Sequence, residues 1–136
     1  MTLSHKQLLQ IFNCYHCFDD GLLLSFEYFY QPDKPLSAKI ALLARNHTHP
    51  KKAWMNVIIK LEDIGELVAR VKGNQFNAIS SGVKLLKFDD WYCIDIDGEY
   101  EHSKPPESMN DIRKYGECYI TAKNITISEE EYHQDI

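Results

Sequence analysis

VKLLKFDDWYCIDIDGEYE, Val83 to Glu101, holds both the clearest strand pattern in the chain and its densest run of carboxylates. It reads as two strands broken at Asp89-Asp90. In the second, Tyr92, Ile94 and Ile96 fall on one side and Trp91, Cys93, Asp95 and Asp97 on the other, as the two-residue period of a strand requires. One side is predicted to enter a core, and the other to present carboxylates beside an indole.

Working outward, the rest of the chain repeats this grammar. Leu22 to Tyr30 alternates an apolar row (Leu22, Leu24, Phe26, Tyr28, Tyr30) with a mixed one. The prolines of Gln31-Pro32-Asp33-Lys34-Pro35 mark a turn, because a proline in a ladder removes a donor. Leu36 to Arg45 returns as a strand, although its pattern also suits a helix. After the polar loop Asn46 to Lys52, a strand covers Trp54 to Leu61. Glu62 to Gly65 then reads as a connection into a separate piece, Glu66 to Lys72. Phe76 to Ile79 is expected to drop two apolar side chains into the core. Glu99 to Tyr115, with Pro105-Pro106 and scattered charge, has little periodicity and reads as a long loop. The last strand, Gly116 to Ser128, changes parity near Lys123-Asn124, which predicts a bulge or twist there. Ahead of all these, Thr2 to Cys14 has the apolar spacing of a helix with Ser4 as its N-cap.

The pattern predicts one α+β domain over residues 1–136, mostly antiparallel β: a meander-rich sheet or sandwich of about seven strands with one N-terminal helix. Residues 129–136 read as a frayed acidic tail. No apolar run approaches the roughly 18 residues of a membrane span, and the first residues lack the features of a secretory signal. A cytoplasmic location, no membrane partner and reduced cysteines are the corresponding expectations.

Charge is divided unevenly. Residues 1–88 carry eleven Lys/Arg against seven Asp/Glu, whereas residues 89–136 carry four against thirteen. A field of one sign repels nucleic-acid phosphates and steers toward a basic protein. The plainer reading of the same excess is a solvated surface that aids solubility.

Three constellations bear on chemistry. Cys14-Tyr15-His16-Cys17 places two thiols and an imidazole at metal-ligand spacing, but no second C-x-x-C completes a site, so no metal and no cofactor are expected. The histidines His16, His47, His49, His102 and His133 sit in no recognisable catalytic motif, and no enzyme is expected. The third is the acidic strand: Trp91, Asp95, Asp97, Glu99 and Glu101 combine an aromatic anchor with carboxylates, the composition of a partner-binding face.

The order of segments FDDGLLLSFEY, WMNVIIKLEDIGELVARV, FNAISSGVKLLKF and GECYITAKNITI resembles the immunity protein 50 family of bacterial polymorphic-toxin systems, over roughly Phe18 to Ile127. The likeness rests on an aspartate just before the first strand (Asp19 or Asp20), the paired strands around Leu61 and Leu67, Asn77-Ala78-Ile79, and a closing strand at Gly116 to Ile120. It implies a non-enzymatic cytoplasmic protein that neutralises a cognate toxin domain by stoichiometric binding, as in contact-dependent growth inhibition. The alternatives are a small metal-dependent hydrolase using Cys14, His16 and Cys17, and a housekeeping adaptor with an acidic face.

Overall fold

Ser4 caps the first helix, α1 (His5–Cys14), through a reciprocal pair of bonds: its Oγ accepts from the Gln7 amide at 3.2 Å, and the Gln7 Oε1 accepts from the Ser4 amide at 2.9 Å. Leu8 and Phe12, four residues apart on one face, are buried. In the computed structural model, which describes residues 3–98 and 105–132, α1 lies against a six-stranded antiparallel sheet. The strands are β1 (Leu22–Gln31), β2 (Lys34–Arg45), β3 (Trp54–Ala69), β4 (Val83–Phe88), β5 (Trp91–Ile96) and β6 (Cys118–Glu131), in the order β1-β2-β3-β6-β5-β4. A second helix, α2, covers Met109–Tyr115. No helix among the described residues is long and apolar enough to cross a membrane.

The expected α+β, mostly antiparallel architecture is therefore present, with six strands in one sheet instead of seven. The difference lies in β3. Trp54–Leu61 and the first part of the Glu66–Lys72 piece, to Ala69, belong to a single strand that changes facing without leaving the ladder. Asp63 adopts a left-handed backbone (φ 56°) and its carboxylate accepts from the Asn124 side chain at 2.8 Å. A register shift between Ile64 and Leu67 then absorbs one extra residue, and the Glu66 amide donates to Thr121 Oγ1 at 2.7 Å. β6 changes parity at the same level, as its pattern predicts: Ile120 and Ala122, then Ile125 and Ile127, all meet one core. The turns use aspartate for the same backbone freedom, at Asp33 between β1 and β2 and at Asp89 between β4 and β5.

That core is formed by α1 and the residues after it (Leu8, Phe12, Tyr15, Phe18) against Ile40, Leu42, Val57, Ile59, Leu61, Ile94, Ile120 and Ile125. Between Tyr15 and Gly21 the chain makes a tight turn in which His16, Cys17 and Phe18 are all left-handed, with φ of 50°, 55° and 59°. Each such residue costs about 1–2 kcal/mol. The turn is held by aromatic packing: Phe18 is fully buried, stacked on Tyr15 at 4.9 Å and edge-on to Phe12 at 5.0 Å. Tyr15 is buried too, which together with the nearby Glu129 raises its phenol well above the usual range.

Three further expectations are corrected. Glu99 to Tyr115 is not wholly loop: Ser108 caps α2 by accepting from the Asp111 amide, and Ile112 buries beneath it with Cys93 and Tyr119 on the sheet face opposite α1. With a single buried apolar residue in seven, this helix leaves no periodic trace. Phe76 and Ile79 do not both enter the core, for Ile79 is buried while Phe76 is 95% exposed. β6 also continues in register to Glu131, so the acidic residues 129–131 belong to the sheet.

α2 is pinned to β3 by Arg113, whose guanidinium bonds both carboxylate oxygens of Glu66, the shortest contact being 2.8 Å. Hydrogen bonding from Arg113 holds the Glu66 carboxyl below its ordinary pKa, with partial burial opposing and the Arg113 charge assisting. A depressed folded pKa contributes stability above the unfolded value, and the contribution is lost as pH falls through the folded pKa. Arg113→Ala is expected to move the Glu66 titration upward to the ordinary carboxylate range, read by carbon-detected NMR. An unshifted titration would contradict the assignment.

Candidate interaction site

The segments that meet at one end of the sheet are far apart in sequence. The stretch before Ile79 runs alongside the start of β1: the Leu23 amide donates to Asn77 O at 2.9 Å, and Asn77 Nδ2 donates back to Leu23 O at 3.1 Å. The Ile79 amide donates to Gly21 O at 2.9 Å and the Asp20 amide to Ile79 O at 3.1 Å. Tied down in extended form, the segment alternates its side chains, which is why Ile79 points inward and Phe76 does not. Asp19 and Asp20 are left exposed beside it.

Between this segment, the end of β5, the end of α2 and the start of β6 lies an open cleft of about 700 Å³. Arg70, Asn74, Gln75 and Asn77 of the first segment line it together with Asp97, Gly98, Tyr115, Glu117 and Cys118. The Arg70 amide bonds Glu117 O at 2.7 Å, closing the cleft at its base. Phe76 and Val71, 95% and 73% exposed, belong to the lining as well. A fully hydrated phenyl ring beside a cleft whose lining mixes polar residues with Leu23, Ala78 and Ile96 would gain about 2 kcal/mol on burial.

The residues singled out from sequence are dispersed by the fold. Asp97 lines the cleft, but its carboxylate is engaged with the backbone amides of Ser80 and Ser81 and with Ser80 Oγ, and its own amide donates to Gly82 O at 2.9 Å. It is the clasp that ties the entry of β4 to the exit of β5. Asp97→Ala should lower stability by about 1–2 kcal/mol in a urea melt, from the loss of charge-assisted bonds; an unchanged midpoint would show the clasp to be idle.

Asp95 is 0% exposed, on the sheet face that α2 covers, with Gly98 so close that an added Cβ would overlap its carboxylate. It is not a surface charge. Trp91 is half-buried, its ring packed on Gly65, where a Cβ would come within 3.0 Å, and Lys123 Nζ lies 5.0 Å from the ring. It fills the space over the β3 irregularity and does not project as an anchor. Glu99 and Glu101 lie outside the described residues. Facing alternation along β5 follows the predicted pattern, since Tyr92, Ile94 and Ile96 join the main core and Cys93 the cluster under α2. The unforeseen element is α2, which turns the supposed outer face into a second interior.

Cys14, His16 and His47 are brought together, the His47 amide donating to Cys14 O at 2.8 Å, while Cys93 and Cys118 lie apart from them. Burial, reinforced by the Asp95 charge, pushes the Cys93 and Cys118 thiols up to about 12, which leaves them protonated near neutrality. His16 and His47 stack face to face at 3.7 Å, and partial burial with the neighbouring His16, Arg45 and Lys52 holds His47 below its ordinary pKa. Among the described residues no group of three or more His, Cys, Asp or Glu side chains is arranged to hold a metal.

Phe76 and Arg70 are the cleft residues that sequence reasoning missed; the polar run Gly73-Asn74-Gln75 ahead of Phe76 is the one signal against an inward phenylalanine, and nothing local marks Arg70. No family model, characterised protein or solved structure matches this chain.

Proposed function

We propose that this protein is a cytoplasmic immunity protein that binds and neutralises a cognate toxin domain stoichiometrically, docking it at the cleft between the 70–79 segment and the β5–β6 end. One observation carries the reading: Phe76, 95% exposed, stands at a cleft where three of the segments that resemble the immunity protein 50 family converge. These are the FDDGLLLSFEY segment, which reaches the cleft at Leu23, then Asn77-Ala78-Ile79, and the start of the closing strand at Glu117 and Cys118. An exposed aromatic beside Arg70 matches the residue types that dominate binding energy at protein interfaces.

Charge supports a basic partner, and of the described carboxylates of the β5 pattern it is Asp97 that lines the cleft. Of the charged residues that line the cleft, Asp97 and Glu117 stand against Arg70, a modest acidic excess that would raise the encounter rate with a cationic surface. The test is titration of the chain with the C-terminal domain of a large secreted protein encoded beside it, paired with growth of cells expressing that domain. A one-to-one complex and restored growth are expected. A domain that stays unbound and lethal would overturn the proposal.

A further inference from the structure

The two edges of the sheet differ in a way that points to a second interaction. β4 is six residues long and carries Lys84 and Lys87, the ordinary protection against edge-to-edge pairing. β1 has no such protection over Leu24–Gln31, LSFEYFYQ, which contains no Lys, Arg, Gly or Pro. Tyr28, Phe29 and Tyr30 there are 55%, 41% and 83% exposed, and Tyr28 and Tyr30 already pack edge to face at 5.8 Å. This open length has definite ends. At one, the Leu23–Asn77 bonds and the Leu22–Ala78 bridge cover the edge. At the other, Pro32 lacks an amide donor.

We propose that β1 pairs antiparallel with β1 of a second copy of this chain, about a two-fold axis at Tyr28, joining two sheets into one. The centre of the open window falls between Glu27 and Tyr28, and an axis at Tyr28 sets residues 25–31 of each copy against residues 31–25 of the other, with the covered residues and Pro32 outside the ladder. Charge selects this register. Centring on Glu27 would set two carboxylates opposite each other, whereas centring on Tyr28 sets Glu27 opposite Phe29 and leaves its ion pair with Lys39, 3.6 Å away on β2, intact. On the face of Phe26, Tyr28 and Tyr30 the pairs become Phe26–Tyr30, Tyr28–Tyr28 and Tyr30–Phe26, aromatic throughout. Irregularities at Leu24 and Tyr30 bracket a regular run, Ser25–Phe29, which supplies the three central pairs. The interface is isologous and leaves no further β1 edge, so association stops at two.

Analytical ultracentrifugation across a concentration series, with amide exchange of residues 25–31 at the same concentrations, tests this. The wild type should move from one chain mass to two, with exchange in 25–31 slowing in step. Tyr28→Lys, which sets two cations face to face on the axis, should hold the chain at the single mass; its unchanged circular dichroism melt checks that the fold is intact, Tyr28 being a half-exposed edge residue. A second variant, Phe29→Lys on its own, should keep the chain at two masses, because in this register it meets Glu27 of the other copy; a single mass for it would overturn the register. Overturning results are a single mass at every concentration, a dimer that survives Tyr28→Lys, or protection of 25–31 that arises only when another protein is added.

Discussion

Phe18→Ala is expected to be among the most damaging single truncations in the chain, lowering stability by about 4 kcal/mol and the melting temperature by roughly 12 °C. The ring is fully buried between Tyr15 and Phe12, so its removal leaves a cavity in the main core. That loss is ordinary for a buried phenylalanine. What singles out this one is the backbone it holds: three consecutive left-handed residues, His16 to Phe18, stay in place only because the aromatic contacts outweigh about 1–2 kcal/mol of strain at each. Without the ring the turn should relax. Its relaxation would reach the cleft, since Gly21 O and the Asp20 amide hold Ile79, and Gly82 packs against Cys17 O. Amide exchange at Asp20 and Ile79 should therefore rise by more than the global destabilisation explains. Phe18→Leu, which keeps most of the volume, should cost about 1 kcal/mol. Equal effects of the two variants, or a melt unchanged by alanine, would show that the turn does not depend on this packing.

Phe76→Ala is expected to have the opposite profile, with no effect on folding and a large one on binding. A side chain 95% exposed contributes no packing, so the urea midpoint should stay within the roughly 0.5 kcal/mol typical of surface changes. In a complex with the proposed toxin partner, loss of the ring is expected to cost about 2 kcal/mol or more, which is roughly 30-fold in affinity and would be felt mainly in the dissociation rate. A variant that binds within about twofold of wild type would remove Phe76 from the interface. Asp97→Ala offers a useful contrast because it lines the same cleft but is engaged by Ser80 and Ser81: its effect on binding should follow its effect on stability.

The architecture was legible because its elements follow from local rules. Ser4 with Gln7 announces α1, and alternation announces β5, whereas the alternating row expected in β1 is broken by the register shift at Leu24, which brings Leu23 and Phe26 to the core and leaves Leu24, Tyr28 and Tyr30 exposed. Prolines and aspartates announce the hairpin turns. Two features were not legible for the same physical reason, which is that they depend on long-range pairing. β3 looks like two strands because its facing changes at Asp63 and again at the Ile64–Leu67 shift, and only β6 opposite shows that the ladder is continuous. α2 carries one buried residue, so its amphipathic signal is absent although Ser108 and Asp111 mark its start.

The candidate site suffered most from that second omission. On a two-layer picture Asp95 and Trp91 belong to solvent. Once α2 covers β5, Asp95 is interior and Trp91 becomes a wedge over Gly65. Phe76 was assigned inward by hydrophobicity alone, and the bonds from Asn77 to Leu23 that turn it outward join residues 54 positions apart. The acidic excess of the C-terminal part is likewise spread by the fold, between the β4–β5 turn, the buried Asp95 and the end of β6.

Amide exchange of the chain alone and in complex with the toxin domain tests the proposed docking at the cleft most directly. The account predicts new protection at residues 74–79, 97–98 and 115–118, with the exchange of α1 and of residues 54–61 of β3 unaltered. Protection that gathers elsewhere and leaves 74–79 exchanging as in the free chain would contradict it.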